Sequence, residues 1–144
     1  MTNSTKKPTA GFWIIGFIAL IWNSMGVDGY INQAYKTERF KSMYTEDQLE
    51  IIFNLPSWVT AAFAIAVFSS VVACILLLMR KKLAKPFFLI GLIAVLVQTT
   101  YNIFMNPGKE MYRSMEYSML ILIPIFSIFL YWYSKKCTDK GILT

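Results

Sequence analysis

SWVTAAFAIAVFSSVVACILLLM, from Ser57 to Met79, runs for 23 residues without a charged side chain. A helix that crosses the hydrocarbon core of a bilayer needs about 20 predominantly apolar residues. No water is available there, so the backbone must satisfy its own hydrogen bonds, which a helix does within one segment. A barrel strand needs only about 9–11 residues and alternates in polarity, which this run does not. The run stops at Arg80-Lys81-Lys82-Leu83-Ala84-Lys85, and a second uncharged run follows at once, from Pro86 to Met105. Two further apolar stretches lie outside this pair, from about Gly11 to Tyr35 and from about Tyr117 to Tyr133. Residues 1–144 therefore read as one all-α integral membrane domain, a polytopic four-transmembrane-helix bundle with up-down-up-down topology.

Composition agrees. Hydrophobic residues make up 56% and charged residues 15% of the chain, with a mean hydropathy of +0.50. A soluble domain has about 25% charged residues. An ordinary soluble globule, a disordered chain and a secreted disulfide scaffold are excluded. Lys6 and Lys7 before the first run resemble the basic region of a signal peptide, but the apolar stretch exceeds the usual length of about 7–15 residues and no A-x-A site follows. The first run is expected to remain as a span.

The chemistry available is limited. There is no histidine, the commonest general base and metal ligand. Cys74 and Cys137 form no ligand or redox motif and are expected to be free thiols. Gly-rich phosphate loops, paired catalytic carboxylates, nucleophile–base pairs and zinc spacings are all missing from the sequence. The expectation is a protein that is not an enzyme and carries no cofactor and no metal. The net charge of +6 points to cationic loops against anionic lipid, with the bilayer and not nucleic acid as the partner.

Charge also orients the chain. The N-terminal segment, the Arg80–Lys85 loop and the segment after the fourth span hold nine Lys and Arg residues against one acid, Asp139. The first loop and the loop around Lys109, Glu110, Arg113 and Glu116 hold five. Cytoplasmic loops are enriched in Lys and Arg, so both termini are expected in the cytoplasm. Trp58, Tyr112 and Tyr117 are expected at the outer interface, and Tyr131, Trp132 and Tyr133 at the inner one. Asn106-Pro107-Gly108 predicts a turn after the third span. In the first loop Thr45 and Gln48 have capping-box spacing, and Leu49, Ile52 and Phe53 recur at helical spacing. They predict a short amphipathic helix over about Glu46–Asn54, lying on the outer surface.

The faces of the spans carry what polar chemistry there is. Gly16, Ala19, Asn23, Gly26, Tyr30 and Gln33 form one stripe on the first span. Gly91, Ala94, Gln98, Tyr101, Asn102 and Met105 form one on the third, and Ala62, Ala66, Ser69 and Ala73 a small-residue stripe on the second. The expectation is that the first and third spans touch, with Asn23 and Gln98 meeting at one depth, Gly26 opposite Tyr101, and Tyr30 opposite Asn102 or Asn106. Two readings are open. The stripes can line a pocket in the outer half of the bundle, formed by Asn23, Tyr30, Gln98, Tyr101 and Asn102, which suits a neutral hydroxylated solute because amides and phenols both donate and accept. They can equally be contacts that hold helices together. Asp28, off the stripe and near the outer headgroups, is either a coupling group or a rim residue that is solvated or paired with an arginine.

The segments Lys7-Pro8-Thr9-Ala10-Gly11-Phe12-Trp13-Ile14-Ile15-Gly16 and Ala19-Leu20-Ile21-Trp22-Asn23 with Gly26 carry a resemblance. So do Pro56-Ser57-Trp58, the run Ala62-Phe63-Ala64-Ile65-Ala66-Val67-Phe68, and Gln98 with Tyr101-Asn102. Together they resemble a group of small bacterial four-span proteins often labelled "sugar transporter". The resemblance covers the spans and not the first loop, and it implies a transport function and a place in a bacterial inner (cytoplasmic) membrane. Four helices enclose little, so a transporter of this size implies a homodimer. The alternative is a non-enzymatic accessory or assembly subunit that packs against a larger membrane complex.

Overall fold

The computed structural model describes residues 7–106 and 114–144, except the side chain of Met115. Lys6, Pro107, Gly108, Lys109, Glu110, Tyr112 and Arg113 lie outside the described residues. The described chain is all helical: α1 (Ala10–Ala34), α2 (Glu38–Lys41), α3 (Glu46–Phe53), α4 (Ser57–Leu78), α5 (Ala84–Phe104) and α6 (Ser114–Asp139). Of these, α1, α4, α5 and α6 are long and apolar enough to cross a membrane.

Local sequence explains most of the helix ends. The Thr9 hydroxyl accepts from the Phe12 N–H at the start of α1. Pro86 falls in the first turn of α5, where no intrahelical partner for its N–H is needed. The expected capping box opens α3: the Gln48 N–H donates to Thr45 Oγ1 at 3.2 Å, and the Thr45 N–H donates to Gln48 Oε1 at 3.0 Å. The helix in the first loop therefore runs as the spacing predicts, one residue shorter, to Phe53. The helical turn α2, capped by the Thr37 hydroxyl, is additional. It buries Phe40 against the rings of Tyr44 and Phe53, a small aromatic core inside the loop.

Three helices end in the same way. After α1, α4 and α6 one residue takes a left-handed conformation: Lys36 (φ 53°), Arg80 (φ 60°) and Gly141 (φ 79°). The N–H groups of that residue and the next turn back to the helix, as with Gly141 to the Thr138 carbonyl and Ile142 to the Cys137 carbonyl. This is the Schellman arrangement, which satisfies the orphan carbonyls of a helix end.

The four long helices form a ring. α1 packs along α4, α4 along α5, and α5 along α6. The ring closes between α6 and α1 through aromatic side chains, Trp22 stacked on Phe126 at 5.1 Å and Phe12 against Tyr133 at 6.4 Å. α4 is the most buried span and α6 the least. The outward faces are large and apolar (Ile14, Phe17, Ile18 and Ile21 on α1, Ile121, Ile125 and Ile128 on α6), as contact with lipid hydrocarbon requires.

The core is uneven along the bundle. Its main cluster gathers Phe12, Ala19, Ala73, Cys74, Leu77, Ala84, Phe88, Leu130, Cys137 and Leu143 at the end that holds the start of α1, the α4–α5 turn and the end of α6. Towards the other end the described residues form a smaller cluster of Ala66, Ala94 and Val95, with Val59, Ala62 and Tyr101 also buried. α6 runs six residues past the expected limit at Tyr133, because its last turns are amphipathic and not merely apolar. Leu130, Ser134 and Cys137 are buried while Lys135 and Lys136 face out. Residues 142–144 then fold back under the α4–α5 turn. The Thr144 N–H donates to the Arg80 carbonyl at 2.8 Å, Arg80 Nε donates to the Ile142 carbonyl at 3.1 Å, and Leu143 is fully buried.

Candidate functional site

The polar stripe of α1 is a packing face, as its spacing predicts, but its partner is α4 and not α5. A Cβ on Gly26 would lie 3.1 Å from Val67 Cγ1, and one on Gly16 would lie 2.6 Å from Leu78 Cδ2. Tyr30 places its ring edge-on to Phe63 and Phe68 of α4, at 5.5 and 5.6 Å. Asn23 Nδ2 donates to the Ala19 carbonyl at 2.9 Å and to Cys74 Sγ at 3.4 Å. The expected contact between the first and third spans is corrected by this arrangement. α4 packs along both α1 and α5, so the first and third helices of the ring face each other across a diagonal.

The stripe of α5 likewise faces α4. A Cβ on Gly91 would lie 2.5 Å from Ser70 Oγ and 3.5 Å from the Ala66 carbonyl. The Tyr101 ring is buried edge-on against Trp58 at 5.5 Å. Ser70 holds the buried place on α4 that the spacing assigns to Ser69, and Met105 is exposed.

These contacts also correct the depths. Asn23 reaches Cys74, one turn from Ser70, so it lies near the level of Gly91. Gln98 is seven residues further along α5, about 10 Å at 1.5 Å per residue. It falls between Gly91 at Ser70 and Tyr101 at Trp58, close to the level of Phe63 and hence of Tyr30. The structure therefore brings Tyr30 and Gln98 to one level on opposite flanks of α4, and places Asn23 deeper. Asn102 lies a turn beyond Gln98 and accepts from Asn106 Nδ2 at 3.2 Å, so the amide near Asn102 is on its own helix.

The engagement of these side chains differs. Asn23 has its donors used, Tyr101 is buried against Trp58, and Tyr30 is packed among rings. Gln98 is half-buried on the packed stripe of α5, and makes no hydrogen bond among the described residues. Asp28 pairs with Arg39 of α2. Both side chains are mostly exposed, a setting in which an ion pair contributes about 0.2–1 kcal/mol. The pair ties the first loop to the end of α1. Thr37 Oγ1 does the same beside it, donating to Asn32 Oδ1 at 2.7 Å. Arg39 and Cys74 are the partners that sequence spacing did not point to: one comes from a loop that turns back, the other from a helix face that looks purely apolar. Among the described residues no group of three His, Cys, Asp or Glu side chains is placed to hold a metal ion.

No known protein family, curated protein or solved structure matches this chain.

Proposed function

We propose that this is a small, transporter-like protein of a bacterial inner membrane that holds a neutral polar solute, such as a sugar, in the outer half of its bundle. The carrying observation is Gln98, a half-buried amide on the packed stripe of α5 with no hydrogen-bond partner among the described residues, at the end of the bundle away from the main core cluster. The amide is only half-buried and so open to a ligand, and a hydroxylated solute would satisfy both its donor and its acceptor. Tyr30, at the same level on the other flank of α4, and Asn102, one turn outward, are the further polar side chains assigned to the site. Asn23 and Tyr101 support it from positions already occupied. Asp28, paired with Arg39, serves as a rim residue that anchors the first loop.

Thermal unfolding of the purified protein in detergent against a sugar and polyol panel tests this reading. At least one compound should raise the melting temperature of the parent, and Gln98→Leu should abolish that rise while its own unliganded melting temperature stays within a few degrees. No shift with any compound would transfer the weight to the accessory-subunit reading, in which the polar stripes only hold helices together.

The orientation belongs to the same proposal. Eight of the described Lys and Arg residues (Lys7, Arg80, Lys81, Lys82, Lys85, Lys135, Lys136 and Lys140) lie at the end of the bundle that holds the main core cluster. That end faces the cytoplasm under the positive-inside rule. Reporter fusions after Lys82 and after Glu46 should report opposite compartments, with Lys82 inside; a periplasm-only reporter active at Lys82 would reverse the assignment.

A further inference from the structure

We infer that one face of α6 is a binding site for an anionic phospholipid, with the phosphate held by Lys135, Lys136 and Lys140 beside Trp132 and an acyl chain lying along the same face. Trp132, Lys135, Lys136, Asp139 and Lys140 line a shallow cavity of about 320 Å³. Their spacing of three, one, three and one places them on a single helix face, opposite buried Leu130, Ser134 and Cys137. Lys136 Nζ sits 5.0 Å above the Trp132 ring, which fixes that ammonium at the cavity wall. Among the described residues no ion pair joins Asp139 to these lysines, and three ammonium groups against one carboxylate leave the cavity net positive. The helix end itself would repel an anion through its free carbonyls. Here the N–H groups of Lys140, Gly141 and Ile142 engage the carbonyls of Lys136, Thr138 and Cys137, which removes part of that penalty.

The rest of the face selects a lipid over a free anion. Continuing away from Lys135, Trp132 is followed at intervals of four, three and four residues by Ile128, Ile125 and Ile121, each more than half exposed. Phe129 lies beside Trp132, with ring centroids 6.1 Å apart. A continuous apolar strip thus leads into a cluster of three ammonium groups, with an aromatic ring at the boundary, where tryptophan sits at headgroup level. A phospholipid with a net negative headgroup matches this sequence of surfaces. A zwitterionic one leaves the cluster uncompensated. The inference does not depend on the solute reading, since this end of the bundle is remote from Gln98.

The test is retention of lipid by the full chain, measured by native mass spectrometry after exchange into a neutral detergent with added phosphatidylglycerol or phosphatidylcholine. The parent should retain phosphatidylglycerol in preference. Lys135→Gln/Lys136→Gln/Lys140→Gln should weaken that retention by about fivefold for each lysine removed. Lys81→Gln/Lys82→Gln, which removes charge from the α4–α5 turn, should leave it unchanged. Millimolar inorganic phosphate should neither displace the lipid nor raise the melting temperature. All three lysines are at the surface, and an unchanged melting temperature in lipid-free detergent confirms that the variant is folded. Equal weakening by both sets of substitutions would overturn the site in favour of a diffuse charge effect. Stabilisation by phosphate alone would overturn the lipid in favour of a free anion, and equal retention of phosphatidylcholine would overturn the headgroup selection.

Discussion

Gly91→Leu is expected to separate α5 from α4 and to lower the stability of the bundle by about 3 kcal/mol, the upper end of what overpacking costs. The first added carbon would stand 2.5 Å from Ser70 Oγ. That contact alone is soft, because a serine hydroxyl can rotate away, so Gly91→Ala should be tolerated. The remaining carbons of leucine must enter the space beside the Ala66 carbonyl, which belongs to the backbone and cannot turn aside. Gly29→Leu is the matched control. Nothing lies within 4 Å of a Cβ there, and both substitutions gain the same helix propensity, so the difference between them isolates packing. Unfolding in detergent should leave Gly29→Leu at the stability of the parent or up to about 1 kcal/mol above it. Equal behaviour of the two variants would show that α4 and α5 do not approach as described.

Leu143→Ala is expected to cost about 3 kcal/mol, the middle of the range for a fully buried leucine. Leu143 is wholly buried in the main cluster although it lies beyond the last helix. It is held there by the exchange between Arg80 and residues 142–144 and by the left-handed turn at Gly141. Thr144→Ala should be nearly silent, since the bond from the Thr144 backbone N–H survives and the hydroxyl contact to the Arg80 carbonyl is long, at 3.4 Å. Gly141→Val should resemble Leu143→Ala in direction with a loss of about 1–2 kcal/mol, because a branched side chain strains a left-handed residue. The check is again unfolding in detergent, with protease sensitivity after Lys140 as a second measure. If Leu143→Ala melts with the parent, the fold-back of residues 142–144 contributes nothing to the bundle.

Much of this architecture is written in short stretches of sequence. The uncharged run Ser57–Met79 and its neighbours imply four long helices because the need to satisfy every backbone group acts within one segment. The capping box of Thr45 and Gln48 is equally local, and it appears with both of its bonds. The stripes of α1 and α5 correctly mark which face of each helix is packed, since small and polar residues at intervals of three and four leave little else for that face to do.

What a stripe cannot carry is the identity of the surface opposite. Asn23 and Gln98 have the same chemistry and similar distances from their helix starts, and a pairing follows naturally. Yet Asn23 finds Cys74 and Gln98 finds no partner among the described residues, because the ring order puts their helices on a diagonal and the contacts of α4 offset them by about two turns. Asp28 acquires Arg39 only once the chain turns back at Lys36. Leu143 becomes core only once Gly141 reverses the chain. Helices, caps and polarity are decided among residues a few positions apart, where the covalent chain already holds the groups together. Neighbours, depths and partners are decided by how four rigid rods fill space, which depends on all of them at once.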